Sequence, residues 1–249
     1  MTSVTTALIL AGSRPGGDPL AQAVGVRHKA LIEIGGTSML AYVVAALRSA
    51  GMTRILVSTG DEAVSAAAVA LGAEPVAAEA GPSGSAAAAL ALAGAPLLLT
   101  TADHPLLRPE WISDFLQAVP AEADVAVLLA RQEAIERDAP PSRRTYLSFA
   151  DGRWSGCNLF LLVTPAASRA LDLWSHVERD RKRPWRIVRR LGLGMIWRYL
   201  TGRLTLAAAV ARIGEGVGIK ARIVAAGNGL AAVDVDSPGD LELVRGLLT

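Results

Sequence analysis

Ala7-Leu8-Ile9-Leu10-Ala11-Gly12-Ser13-Arg14-Pro15-Gly16-Gly17, residues 7–17, is the stretch that decides the fold class of this chain. Its five apolar residues, Ala7 to Ala11, form an unbroken run. A strand with one wet face would alternate apolar and polar residues, so an unbroken run reads as a strand buried on both faces. The glycine-rich turn that follows places backbone N–H groups at the carboxyl edge of such a sheet, where they can cradle phosphates. Arg14 adds a charge suited to a triphosphate. The turn is neither GxGxxG nor a Gly-Lys-Ser/Thr P-loop, and taken alone it reads equally well as a flexible loop.

Outward from this turn, short apolar runs alternate with alanine-rich helical stretches. Thr37 to Ala50, Asp61 to Leu71, Ser85 to Ala93 and Pro109 to Val119 read as helices, three of them stopped by Gly51, Gly72 and Gly94. Arg54 to Ser58, Glu74 to Ala77, Pro96 to Thr101 and Asp124 to Ala130 read as strands. That alternation predicts a mostly parallel sheet covered by helices on both faces. Arg131 to Arg144, which holds Pro140 and Pro141, reads as a loop. Thr145 to Phe149 and Asn158 to Val163 read as strands flanking an Asp151-Gly152 turn. Pro165 to Val177, Pro184 to Leu200 and Leu204 to Ile213 read as helices, Lys220 to Val224 and Ala231 to Val235 as late strands. Ser237 caps a closing helix that runs to Leu248. Residues 1–249 read as one domain, with a helical insert at about 179–213.

Composition narrows the class. The chain has 249 residues, 51% of them hydrophobic, which excludes a disordered protein. Cys157 is the lone cysteine and reads as a small core residue. No apolar run is long enough for a membrane span or flanked as a signal peptide, so a soluble, cytoplasmic protein is expected. The net charge of +2 names no partner. Its distribution is more telling: Arg179 to Arg190 holds seven basic residues and one acid, Asp180.

Four further motifs could carry chemistry. Lys29, ahead of Ala30-Leu31-Ile32-Glu33-Ile34-Gly35-Gly36, could neutralise phosphate charge, though alone it reads as a surface lysine. Gly81-Pro82-Ser83-Gly84-Ser85 opens a helix and could meet a base or ribose, or be an ordinary cap. Asp103, in Thr100-Thr101-Ala102-Asp103-His104-Pro105, follows a buried strand at the edge where open α/β sheets bind ligands, and Mg²⁺ is usually held by one or two such carboxylates plus substrate phosphates. In Val233-Asp234-Val235-Asp236, period two puts both acids on one side of the expected strand, so either could complete the metal site.

Taken in order, Leu8 to Arg14, Lys29, Gly35-Gly36, Gly81 to Ser85, Asp103-His104-Pro105, Gly156-Cys157-Asn158 and Asp234 to Leu241 resemble the MobA-like NTP transferases over nearly the whole chain. The resemblance implies a three-layer GT-A/Rossmann-like α/β fold and a Mg²⁺-dependent nucleotidyltransferase. Carried over by position, Leu10, Ala11, Gly12 and Ser13 contact the nucleotide, with Pro82, Ser83 and Gly84 near the base. Arg14 and Lys29 hold phosphates, Asp103 with Asp234 or Asp236 binds Mg²⁺, and Asn158 faces the acceptor. Three departures stand out. Gly16-Gly17-Asp18 replaces a second basic residue, leaving Lys29 or Arg27 to share triphosphate binding. Ala30 follows the lysine where proline is usual. Gly12-Ser13 stands where molybdopterin guanylyltransferases carry Gly-Gly.

The basic insert, with Trp185, Trp197 and Tyr199 among its arginines, exceeds a minimal domain. It reads as a lid whose Arg181, Arg183 and Arg186 recognise an acidic acceptor, as an interfacial helix against anionic lipid, or as a solvated face. No nucleic-acid-binding module accompanies it. The leading expectation is transfer of CMP from CTP to a small phosphorylated acceptor, with loss of pyrophosphate, for lipid or envelope head groups. A guanylyltransferase acting on molybdopterin or phospholactate, and a silent membrane-docked binding protein, are the alternatives. A GT-A glycosyltransferase is more distant, because its Asp-x-Asp ends a mid-chain strand. A homodimer is left open.

Overall fold

The computed structural model describes residues 4–13, 16–140, 145–180 and 193–248. Its centre is an eight-stranded sheet in the order β10-β7-β9-β6-β1-β4-β5, with β8 paired to β9. The strands are β1 (Thr6–Leu10), β4 (Arg54–Thr59), β5 (Glu74–Ala77), β6 (Leu97–Thr101), β7 (Val125–Arg131), β8 (Leu147–Phe149), β9 (Gly152–Leu162) and β10 (Ala221–Ala225), while β2 (Glu33–Ile34) and β3 (Thr37–Ser38) form a separate hairpin. β1 pairs in parallel with β4 and β6, as do β4 with β5 and β7 with β10. β9 alone inverts the direction, running antiparallel between β6 and β7.

Helices cover both faces because the strands are apolar on both. Ala7 and Ile9 point into a core built with α2 (Met39–Ser49), α3 (Glu62–Ala70), α5 (Pro109–Ala118), α6 (Gln132–Asp138) and α10 (Pro238–Leu248). Leu8, Leu56, Leu97 and Leu99 point the other way, under α4 (Pro82–Ala93) and α7 (Ser168–Asp180). This is the period-two alternation of a strand with both faces dry. A smaller cluster of Leu129, Trp154 and Leu206 lies under α9 (Leu206–Gly216). The short α1 (Pro19–Ala23) follows the first turn, and α8 (Leu193–Leu200) precedes α9.

The three-layer α/β class and mostly parallel sheet expected from the sequence are what the chain adopts. Several boundaries move, each for a physical reason. The loop expected at 131–144 begins as α6, whose Ile135 buries itself in the main core. The strand expected at Ala231 to Val235 is a 3₁₀ turn over Gly229–Ala232 followed by irregular chain. Gly229 packs so closely on Ala134 that a Cβ there would sit 2.3 Å from the Ala134 carbonyl oxygen, so the segment docks on α6 and joins no ladder. α4 begins at Pro82, three residues before the expected Ser85, which makes the Gly81 turn its start. β9 begins at Gly152, six residues before the expected Asn158. The helix expected over 184–200 is described only as α8, and residues 181–192 lie outside the described residues. Among the described residues, no helix is long and apolar enough to cross a membrane.

Candidate active site

The parallel strands put their carboxyl ends at one edge, and backbone bonds extend the ladders beyond them. The Ala11 N–H donates to the Ser58 carbonyl at 2.9 Å, and the Ala102 N–H to the Leu10 carbonyl at 3.1 Å. Three turns are thereby fixed side by side. Between two of them and the start of α4 lies an open cavity of about 450 Å³. Leu10, Gly12 and Ser13 line it from β1, Ser58, Gly60 and Asp61 from β4, and Gly81, Pro82 and Ser85 from α4. The wall is thus mostly glycine, small polar side chains and backbone, which suits a flat ring and a ribose. Of the expected nucleotide-contacting residues, Leu10, Gly12, Ser13 and Pro82 line this cavity. Ala11 is buried behind it. Gly84 packs at 3.1 Å, measured from a Cβ built on it, against the Glu79 side chain. Arg14 lies outside the described residues.

Two residues here escaped the sequence reading. Ser58 is 1% exposed, and its hydroxyl has no hydrogen-bond partner among the described residues. A buried unpaired hydroxyl carries a desolvation cost of about 1–3 kcal/mol, so at a cavity wall it is a natural reader of a ligand. The signal was a polar residue closing an apolar strand at the sheet's carboxyl edge. The second is Glu178, near the end of α7. Its carboxylate accepts from the Ser83 hydroxyl at 2.6 Å and the Ser83 N–H at 3.3 Å. Ser83 is therefore buried and engaged by a carboxylate that caps the start of α4, where a partial positive charge favours an anion. Nothing in the sequence links positions 95 residues apart.

Beside the cavity stands an ion cluster. Lys29 opens a 3₁₀ turn whose N-cap is His28, buried, with Nδ1 accepting the Ala30 N–H at 3.0 Å. The turn aims the Lys29 ammonium at two carboxylates, Asp103 at 2.8 Å and Asp236 at 2.5 Å. Burial alone would lower the Lys29 pKa, but the charges and hydrogen bonds of Asp103 and Asp236 outweigh it and hold the pKa above the ordinary lysine value. Asp103 is fixed in turn. The Thr101 hydroxyl donates to its carboxylate at 2.5 Å, and the Val235 N–H donates to its carbonyl at 2.9 Å. Asp236 is placed by the start of α10, where Ser237 and Asp240 exchange a reciprocal cap, Asp240 accepting the Ser237 N–H at 2.9 Å and Ser237 accepting the Asp240 N–H at 3.3 Å.

Asp234 and Asp236 take different partners. The segment is no strand, so the period-two argument does not apply. Asp236 meets Lys29, whereas Asp234 accepts from the Asn158 amide at 2.9 Å. Among the described residues, no three His, Cys, Asp or Glu side chains gather as a metal cluster. What the fold assembles is a pair of hard oxygen donors, Asp103 and Asp236, around one cation.

Asn158 sits at an irregularity of β9. Register on β7 passes from Val127 opposite Phe160 to Leu129 opposite Gly156, so β9 spends two extra residues there. Asn158 has φ 50°, the left-handed region that asparagine tolerates best among residues with a side chain. The bulge turns its amide toward Asp234, at the position expected to face an acceptor. Arg27, the other candidate for triphosphate charge, pairs with Asp61 at 2.8 Å on the cavity's rim. Arg181, Arg183 and Arg186, expected to recognise the acceptor, lie outside the described residues.

Comparison with known proteins identifies the family and the fold. The family model of the MobA-like NTP transferase domain matches residues 7–194. A hypothetical transferase from Thermus thermophilus superposes with a TM-score of 0.81 at 31% identity, over 96% of this chain and 100% of its own. CMP:2-keto-3-deoxy-manno-octonic acid synthetase, solved in complex with CTP, has a TM-score of 0.60 at 19% identity, over 99% of this chain and 98% of its own. A nucleotidyl transferase from Methanothermobacter has a TM-score of 0.56 at 17% identity, over 97% and 96%. No curated protein matches the chain. A glycine-turn cavity beside a lysine-bridged carboxylate pair, on a fold shared with these transferases, makes the chain a nucleotidyltransferase that belongs to the MobA-like NTP transferase family.

Proposed function

We propose that the protein transfers CMP from CTP to a small phosphorylated acceptor, such as a phospho-acid, phospho-polyol or sugar phosphate, with release of pyrophosphate. The observation that carries this reading is the Lys29 ammonium bridging Asp103 and Asp236, in a chain whose neighbouring strand ends wall a glycine-rich cavity. An acceptor phosphate oxygen forms a bond to the α-phosphorus. The bond from that phosphorus to the oxygen bridging to the β-phosphate breaks, and pyrophosphate leaves with the electron pair. Such a displacement needs alignment and charge neutralisation more than a covalent enzyme intermediate.

The chain's residues supply both. Backbone N–H groups of the first turn hold phosphates, Ser58 and the start of α4 hold base and ribose, and Lys29 neutralises charge on the triphosphate. Asp103 and Asp236 are oxygen donors of the kind Mg²⁺ takes, together with phosphates and water. Bound there, Mg²⁺ would supply further charge neutralisation. Asn158, held by Asp234, would orient the acceptor.

The choice of CTP is supported by the Gly12-Ser13 turn, which departs from the guanylyltransferase pattern, and by the CTP bound to a synthetase of the same fold. A guanylyltransferase reading is favoured by one observation, that Glu79 lines the cavity and a carboxylate pairs well with the N1–H and amino group of guanine. Thermal melting with each NTP and Mg²⁺ separates the two, since a ligand at 100 times its Kd adds about 2.7 kcal/mol. CTP should give the largest shift and the fastest pyrophosphate release across a panel of phospho-acceptors. A larger shift with GTP would transfer the assignment to guanylyl chemistry, and pyrophosphate release from no NTP would sink the enzymatic reading.

A further inference from the structure

We infer that α8 and the β8 edge form a docking surface for an anionic phospholipid bilayer, on the side of the molecule that carries Asn158. Three side chains of α8 stand out of the protein: Trp197 is 57% exposed, Tyr199 50% and Leu200 77%. Isolated exposed apolar residues are ordinary, but here Trp197 and Leu200, three residues apart, share one face of the helix, and Tyr199 turns toward the sheet. These are joined to the sheet, because the Tyr199 ring meets Phe149 of β8 edge-on at 5.7 Å. Leu147, two residues earlier on the same face of β8, is 52% exposed and enlarges the patch.

The surface is anchored. The Ala150 N–H donates to the Leu204 carbonyl, and the Leu206 N–H to the Asp151 carboxylate, each at 2.9 Å, so the chain after α8 is tied to the β8–β9 turn. It also lies on the acceptor side. β8 pairs with the first residues of β9, and Asn158 lies farther along that same strand.

Charge selects the occupant. The Arg203 guanidinium lies 5.7 Å from the Trp197 ring centroid, and Arg198 is exposed on α8. Among the described residues 193–214, the charged side chains are Arg198, Arg203 and Arg212, with no Asp or Glu. Amphipathic rings at headgroup depth, aliphatic tips below them and arginines beside them are the composition of an interfacial helix on anionic lipid. The surface lies apart from the residues assigned to nucleotide chemistry, so it stands or falls independently of the CTP reading.

The test is flotation of the full chain with vesicles of phosphatidylcholine alone and of phosphatidylcholine with phosphatidylglycerol. The chain should float with the anionic vesicles only, and high salt should release it. Trp197→Ser combined with Leu200→Ser should cut partitioning about tenfold, while Trp197→Phe keeps most of it. Arg198→Glu with Arg203→Glu should abolish the preference for anionic lipid. Melting temperatures equal to the parent's show that these variants fold. The inference is overturned if the parent stays in solution with anionic vesicles, or if the Ser double variant floats as well as the parent. It is equally overturned if the parent binds a single-stranded oligonucleotide, loses that binding on Trp197→Ser, and never floats.

Discussion

The two sides of the sheet edge are built differently. The nucleotide side, from β1 through β4 to α4, is made of parallel strands that end in glycine turns, and its contacts are largely between neighbouring turns and backbone groups. The acceptor side is made of one inverted strand, β9, with a bulge at Asn158, and of side chains from remote segments: Asn158 with Asp234, and Lys29 with Asp236, 207 residues away. A backbone cradle is generic, since any NTP presents phosphates, whereas a side-chain assembly is particular to its acceptor. In the proposed reaction the transferred nucleotidyl group passes Lys29, Asp103 and Asp236.

That division is tested most severely at its centre. Asp103→Asn should cost about a thousandfold in kcat and Lys29→Ala about a hundredfold, because removal of a group that neutralises transition-state charge typically costs that much. Pyrophosphate release measures both. Asp236→Asn should follow them, whereas Asp234→Asn should act on the acceptor KM, since Asp234 accepts from the Asn158 amide. Equal kcat losses at 234 and 236 would put both acids in one cluster and erase the distinction.

Next in size is the bulge. Asn158→Ala should raise the acceptor KM about tenfold and lower stability by about 1 kcal/mol, the cost of left-handed backbone for an ordinary residue. Asn158→Gly should restore the stability and leave the acceptor KM high. Recovery of the KM by glycine would mean that the backbone, not the amide, serves the acceptor.

On the nucleotide side, Glu178→Ala should raise the NTP KM about threefold to tenfold with kcat unchanged, as expected for loss of a helix cap worth about 1 kcal/mol. A fall in kcat alone would place Glu178 in the chemistry.

The smallest effect concerns His28. Burial holds its pKa below the ordinary histidine value, and this outweighs Asp61, the Ala11 backbone and Asp18, which pull it up. Between the lowered folded value and about 6.5 in the unfolded chain, the unfolded chain binds more protons, so stability rises with pH across that window and falls as the solution is acidified through it. His28→Asn, which keeps an acceptor for the Ala30 N–H, should flatten that slope in melting curves between mildly acidic and neutral pH. An unchanged slope would assign the acid sensitivity to other groups.

Much of the fold was legible because its strands are apolar on both faces and its helices end at glycines. Glu74–Ala77 forms the expected strand, and α2, α3 and α5 lie within one or two residues of expectation. The segments misread from sequence, α6 and the 3₁₀ turn at Gly229–Ala232, are those that dock on each other, so each takes its conformation from the other. In the site, Lys29 and Asp103 were singled out from strand ends and turns, while Ser58 and Glu178 were not, because the hydroxyl near the end of β4 passed as part of the strand and an acid on a polar helix carries no local mark.

Sequence alone determined that β1 is a parallel strand buried on both faces and ends in a glycine-rich turn, since an unbroken apolar run followed by glycines leaves little other geometry. Only the tertiary structure decided which acids act together. Asp234 and Asp236 are two residues apart in every reading of the sequence, yet one faces Lys29 and the other Asn158. The reason is that the segment holding them follows no repeating geometry of its own. Its path is set by the Val235 N–H bonded to the Asp103 carbonyl and by the cap that starts α10, both contacts made only once the chain has folded.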